Sequence, residues 1–174
     1  MTMLLEGVVD GCEATTGWTA LGNDTINLAT SNTRIRGTKA LTFDKVDGLA
    51  NTIFAGIAKT LNSVNLEERF NPFDEICWYC YVSSVANLAY SFVRLGSAAA
   101  HYVEYRYDDS LMVAGFNFCH VRLSAFSATT GTACPFSDVD YIAVGTAHDA
   151  ETDALAGIIV DHISIHPSSL VISV

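Results

Sequence analysis

Basic residues are scarce in this chain: nine Lys and Arg stand against nineteen Asp and Glu, a formal net charge of −10. That balance argues against a nucleic-acid partner, because holding a phosphate backbone takes clustered cations. Between Leu123 and Val174 there is no Lys or Arg at all, while Asp138, Asp140, Asp149, Glu151, Asp153 and Asp161 all fall there. Long apolar runs are missing too. The longest, Ile76 to Val82, has seven residues, against the roughly 20 a membrane-spanning helix needs, so no membrane association is expected. Met1-Thr2-Met3-Leu4-Leu5-Glu6 has neither a basic start nor an apolar stretch, which predicts no secretory signal and synthesis in a cytoplasm. Proline is rare, with three residues, and no Pro/Ser-rich linker or repeat divides the chain. Cysteines number five (Cys12, Cys77, Cys80, Cys119, Cys134), an odd count in a chain large enough to fold without disulfides, and they read as buried thiols.

What is present is apolar: 50% of the 174 residues, with only 16% charged and a mean hydropathy of +0.29. One domain spanning 1–174 is the simplest organisation. Runs rich in Val, Ile, Thr, Tyr and Phe recur between Gly, Asn, Asp and Ser. They lie at Thr25–Ala29, Ala40–Phe43, Ile53–Ala58, Glu75–Val82, Leu88–Leu95, His101–Tyr107, Phe116–Leu123, Tyr141–Val144, Ile158–Ile165 and Leu170–Ile172. About ten strands without intervening helices predict an all-β chain of antiparallel sheets. The one helical candidate is Asn65–Phe70, where Asn65 can cap and Glu68 can close a capping box.

Several stretches, taken in order, carry a resemblance. Gly17-Trp18 is followed by Gly37-Thr38-Lys39-Ala40-Leu41-Thr42-Phe43, then Asn65-Leu66 and Phe70, then Asp74-Glu75-Ile76-Cys77-Trp78-Tyr79-Cys80-Tyr81-Val82. Phe92-Val93-Arg94-Leu95-Gly96-Ser97 leads to Tyr102-Val103-Glu104-Tyr105, then Gly115-Phe116-Asn117, and the chain closes on Val139–Val144 and Gly157–Ile163. This order resembles the jelly-roll β-sandwich of carbohydrate-binding modules and galactose-binding-like domains, a fold that also occurs in tailed-phage virion proteins. Phe116 stands where the family has a tryptophan. The resemblance implies a structural calcium ion held by Glu6 or Asp10 together with Asp161, and no other cofactor.

The reactive residues do not assemble into a catalytic set. Cys77 and Cys80 have CxxC spacing, but residues three apart on a strand face opposite ways. Asp161 and His162 are neighbours and diverge for the same reason, and no Gly-x-Ser-x-Gly elbow supplies a nucleophile. No enzymatic activity is expected. Alternation over three consecutive strands gives the most informative pattern. One face carries Val93, Leu95, Val103, Tyr105, Tyr107, Cys119, Val121 and Leu123; the other carries Tyr90, Phe92, Arg94, Tyr102, Glu104, Arg106, Phe118, His120 and Arg122. The first is a core face. The second mixes aromatic and charged groups, as a sugar- or protein-binding sheet does; a solvated face with Glu104 paired to Arg94 or Arg122 is the plainer alternative.

These features lead to an expectation of a non-enzymatic virion structural protein, most simply a capsid decoration, head-fibre or tail-associated protein of a tailed phage. It would bind a capsid or tail protein of the same particle and associate with its own copies, in the simplest case as a trimer. The alternative is a carbohydrate-binding module recognising a glycan on one sheet face through Arg94, Tyr102, Glu104, Arg106, His120 and Arg122.

Overall fold

A computed structural model describes residues 7–47, 52–67, 71–132 and 136–167. Twelve strands form two six-stranded antiparallel sheets. The first sheet runs β3 (Thr25–Ser31), β4 (Ala40–Lys45), β12 (Leu155–His166), β6 (Glu75–Val82), β9 (Gly115–Arg122), with β1 (Gly7–Asp10) beside the far end of β12. The second runs β10 (Ala128–Thr130), β8 (His101–Asp108), β7 (Leu88–Ala98), β11 (Val139–His148), β5 (Phe54–Val64), β2 (Trp18–Ala20). A 3-10 turn at Asp109–Leu111, capped by the Asp108 side chain, is the one helical segment among the described residues.

Nine of the ten expected strands are found, and the tenth, Leu170–Ile172, lies outside the described residues. The three that periodicity missed, β1, β2 and β10, have three or four residues each, too few for alternation to register. Asn65–Glu67 is a turn in which Asn65 Oδ1 accepts the Glu67 N–H, and residues 68–70 of the expected helix lie outside the described residues.

The sheets face each other across a core that alternation dictates. Ile76, Trp78, Cys80 and Val82 point inward from β6, and Val93, Leu95, Val103, Tyr105, Ile142 and Val144 point inward from the opposite sheet. Fully burying each large aliphatic side chain contributes about 1.5–3 kcal/mol. A polar chain crosses this core: Trp78 Nε1 donates to Ser91 Oγ at 2.9 Å, and Ser91 Oγ donates to the Gly145 carbonyl at 3.1 Å. It locks β6 of one sheet to β7 and β11 of the other. Cys77 faces outward and Cys80 inward, as alternation requires, and Cys12, Cys77, Cys80 and Cys119 are buried; Cys134 is outside the described residues. Burial pushes the Cys80 thiol up to about 11, so it stays protonated and inert.

One expectation needs correcting. Phe118, His120 and Arg122 do not share a face with Arg94, Tyr102, Glu104 and Arg106, because β9 pairs with β6 in the other sheet. The expectation assumed that consecutive strands are neighbours. Instead the turn after β8 carries the chain across the core, and the short β10 takes the place beside β8.

Candidate functional site

The outer face of the β5-β11-β7-β8 sheet is built from registered rows of side chains. Phe54, Ala147, Tyr90 and Asp108 stand side by side; next come Gly56, Gly145, Phe92 and Arg106. Then follow Thr19, Ala58, Ala143, Arg94, Glu104 and Ala128, and finally Thr60, Tyr141, Gly96, Tyr102 and Thr130. Large side chains therefore gather on β7 and β8 and at the two end rows, with Phe54 and Tyr141, while Gly56, Ala58, Ala143 and Gly145 of β5 and β11 offer a floor of small ones between them. Two of the floor positions are glycine by necessity. A Cβ on Gly145 would lie 2.1 Å from the Ala55 carbonyl oxygen, and one on Gly56 would lie 2.6 Å from that of Val144.

Arg94 and Glu104 stand at the centre of this face and are almost closed to solvent, at 6% and 2% exposed. Glu104 accepts from Arg94 Nε at 2.6 Å with one oxygen and from Arg106 Nε at 2.6 Å with the other. The Arg94 guanidinium also lies 4.5 Å from the Phe92 ring centre, 4.7 Å from Tyr102 and 5.0 Å from Phe54. A buried cation is tolerable only when its charge and donors are met, and here three rings and a carboxylate meet them. The pair therefore positions its neighbours. Arg106 lies 4.4 Å over the Tyr90 ring and keeps 38% of its side chain in water. Tyr102 tilts against Tyr141, ring centres 6.4 Å apart. Among the residues proposed from the sequence, Tyr102 and Arg106 are the ones this face leaves open to a ligand.

Beside the Tyr102–Tyr141 pair lies a groove of about 470 Å³. Ala58, Thr60 and Tyr141 form its floor, Thr19 and Ala20 of β2 with Leu21 after it one bank, and Ser97 and Ala98 at the end of β7 with Ala99 after them the other. Burial raises the Tyr141 phenol above its ordinary range, so it remains a neutral O–H donor. Asp140 reaches the same groove and is half-exposed to solvent. Sequence reasoning missed the groove because Asp140, Thr19 and Thr60 come from three separate segments, and only the sheet order brings them together. The mixture of ring faces, hydroxyls and one open carboxylate suits a polyol. Sugar C–H groups pack on rings, and sugar hydroxyls donate to a carboxylate.

On the opposite sheet, His120 and Arg122 face outward from β9 with Phe118, and His120 Nδ1 approaches Glu75 at 3.4 Å. Ser164 Oγ lies 3.1 Å from His166 Nε2. Ser164 is only 1% exposed, so this pair is closed to a substrate. Of the calcium set, Glu6 lies outside the described residues. Asp10 is committed to Lys59 Nζ at 2.7 Å and to the Cys12 N–H. Asp161 Oδ2 accepts the N–H groups of Ile35 and Arg36, while its Oδ1 is buried without a partner. The described members of the set thus supply one open oxygen, against the six to eight a calcium ion takes, and no group of three His, Cys, Asp or Glu among the described residues could hold a metal.

No family model and no curated protein sequence matches this chain. Solved structures do. The family 11 carbohydrate-binding module from Clostridium thermocellum, in complex with a β-1,3-1,4-mixed-linked tetrasaccharide, superposes with a TM-score of 0.64 at 12% identity, over 94% of this chain and 96% of that one. The chain has the jelly-roll fold of carbohydrate-binding modules. The family 30 module of a Clostridium thermocellum cellulosomal cellulase gives 0.61 at 11% identity, over 95% and 99% of the two chains. An exo-β-agarase gives 0.63 at 10% identity, and there the likeness covers 93% of this chain but 25% of the enzyme. At these identities the likeness fixes the fold and leaves the ligand to the residues.

Proposed function

We propose that this protein is a non-catalytic glycan-binding module that takes a polysaccharide chain across the outer face of the β5-β11-β7-β8 sheet. The observation that carries the reading is the groove between Thr19–Leu21 and Ser97–Ala99, with Tyr141 in its floor, Tyr102 beside it and the open carboxylate of Asp140 at its side. The rings would stack against sugar faces, Asp140 and Thr60 would exchange hydrogen bonds with hydroxyls, and Arg106 over Tyr90 would extend the contact toward the far edge of the sheet. Arg94 and Glu104 would hold Tyr102 and Arg106 in place from beneath. The shared fold of the family 11 and family 30 modules supports this reading, as does the registered mixture of small floor and aromatic wall. The virion role, with a capsid or tail partner, has no comparable support in the groove or in the similar structures, and the glycan reading replaces it as the leading one.

The test is retention on soluble polysaccharides in affinity electrophoresis, starting with mixed-linked β-1,3-1,4-glucan and agarose. Retention by at least one neutral polysaccharide, weakened by Asp140→Ala, is the expected result. Free migration through every polysaccharide would overturn the reading.

A further inference from the structure

Apart from β9, the edge strands are blunted, β1 beside β12 having four residues. In the second sheet both edge strands, β2 and β10, have three residues. In the first, β3 is broken by a register shift between Ile26 and Ala29, where Asn27 takes a left-handed φ of 58°. The remaining edge, β9, is different. Its eight residues pair with β6 in unbroken register from Gly115 to Arg122, a straight run of roughly 27 Å. Its one strand partner among the described residues is β6, and at its two ends the Gly115 carbonyl accepts from Asn117 Nδ2 and the Arg122 carbonyl accepts the Ala125 N–H. The outward side chains are Phe116, Phe118, His120 and Arg122, with Phe118 45% exposed. The strand carries neither Lys nor Pro, the residues that usually protect an open edge.

We propose that β9 is an interface for a second copy of this chain, joined by antiparallel β9–β9 pairing about a two-fold axis into one continuous sheet. The side-chain row is self-complementary. Two registers keep outer face with outer face and overlap seven residues of the eight-residue strand. In these, Phe118 meets Phe118 or His120, and Arg122 meets Ala114 or Phe116. In neither do two like charges stand opposite, and in both the rings of Phe118 and Tyr79, 5.2 Å apart, extend into an aromatic strip crossing the junction. Both binding faces lie on the other sheet, so the dimer would present two of them, which raises retention on a polymer without any new sugar contact.

Sedimentation velocity on the full chain over roughly two decades of concentration reads the association, and hydrogen exchange reads the strand. The expected result is a mass rising from 18.7 kDa toward twice that value, with the β9 amides slowing as it does. Phe118→Lys should shift dissociation by about tenfold or more, with its thermal midpoint checked against the parent, and His120→Lys should act in the same direction. A chain that stays monomeric throughout overturns the proposal. So does a dimer that both variants leave intact and whose β9 amides exchange at the monomer rate. Neither outcome touches glycan retention by a single copy.

Discussion

Replacing Glu104 by Gln tests the claim that the centre of the binding face is a rigid support. Glu104 is 2% exposed and both its oxygens accept from guanidinium groups at 2.6 Å. The amide keeps one acceptor and turns two N–H donors toward the other guanidinium, so one arginine loses its partner. Arg106 can turn to water, since 38% of its side chain is already there. Arg94 cannot, and removing one member of a buried pair costs about 3–5 kcal/mol. The three rings around Arg94 survive the change and place the cost near the lower end, about 3 kcal/mol, which for a domain of this size lowers Tm by roughly 6–12 °C. Urea and thermal denaturation measure it. Arg106→Ala, by contrast, should cost no more than about 1 kcal/mol, the range of exposed ion pairs. The double change Arg94→Leu with Glu104→Leu should recover most of what Glu104→Leu alone loses. A Glu104→Gln protein within about 0.5 kcal/mol of the parent, or a double variant no more stable than the single one, would refute the reasoning.

Ser91→Ala leaves the buried Trp78 Nε1 without its partner and should cost about 2 kcal/mol, read by urea denaturation. Burial, and then the charge of Lys45, lowers the His148 pKa in the folded state. The unfolded chain therefore binds the extra proton first, and stability from this group is present above about pH 6.5 and lost as pH falls through the folded value. His148→Gln should flatten that slope in thermal melts between about pH 5 and 7. A calcium ion held through Asp161, proposed from the resemblance, requires that calcium raise Tm, that a chelator reverse the rise and that Asp161→Asn abolish it; an unchanged Tm assigns the carboxylate wholly to the Ile35 and Arg36 amides.

The sandwich was legible because its strands are long and half-buried. Ile76, Trp78, Cys80 and Val82 alternate with outward residues so regularly that no other element fits. The face of Tyr90, Phe92, Arg94, Tyr102, Glu104 and Arg106 was legible for the same reason, and so was the Arg94–Glu104 pair, since those two residues stand directly opposite in register. Sheet membership was not. Alternation fixes which residues of a strand share a face but carries no information about which strand lies beside it, and so His120 and Arg122 were placed with the wrong neighbours. The groove was hidden for a related reason: Thr19 lies on a three-residue edge strand, and Asp140 approaches it only because β11 runs between β7 and β5. Burial within the face was also beyond periodicity. Arg94 and Phe92 alternate as exposed residues do, yet the neighbouring rings cover them.

The most direct test of the glycan-binding account compares Tyr102→Ala with Phe118→Ala on a polysaccharide that retains the parent protein. Each removes one ring, Tyr102 from the groove side and Phe118 from the outer face of the opposite sheet. Covering a large apolar side chain contributes about 1.5–3 kcal/mol, so Tyr102→Ala should weaken binding by roughly tenfold to a hundredfold in isothermal titration with a short oligosaccharide. Phe118→Ala should leave the affinity unchanged for that monovalent ligand. The opposite pattern, with binding lost on removing Phe118 and kept on removing Tyr102, would contradict the account and move the glycan to the other sheet.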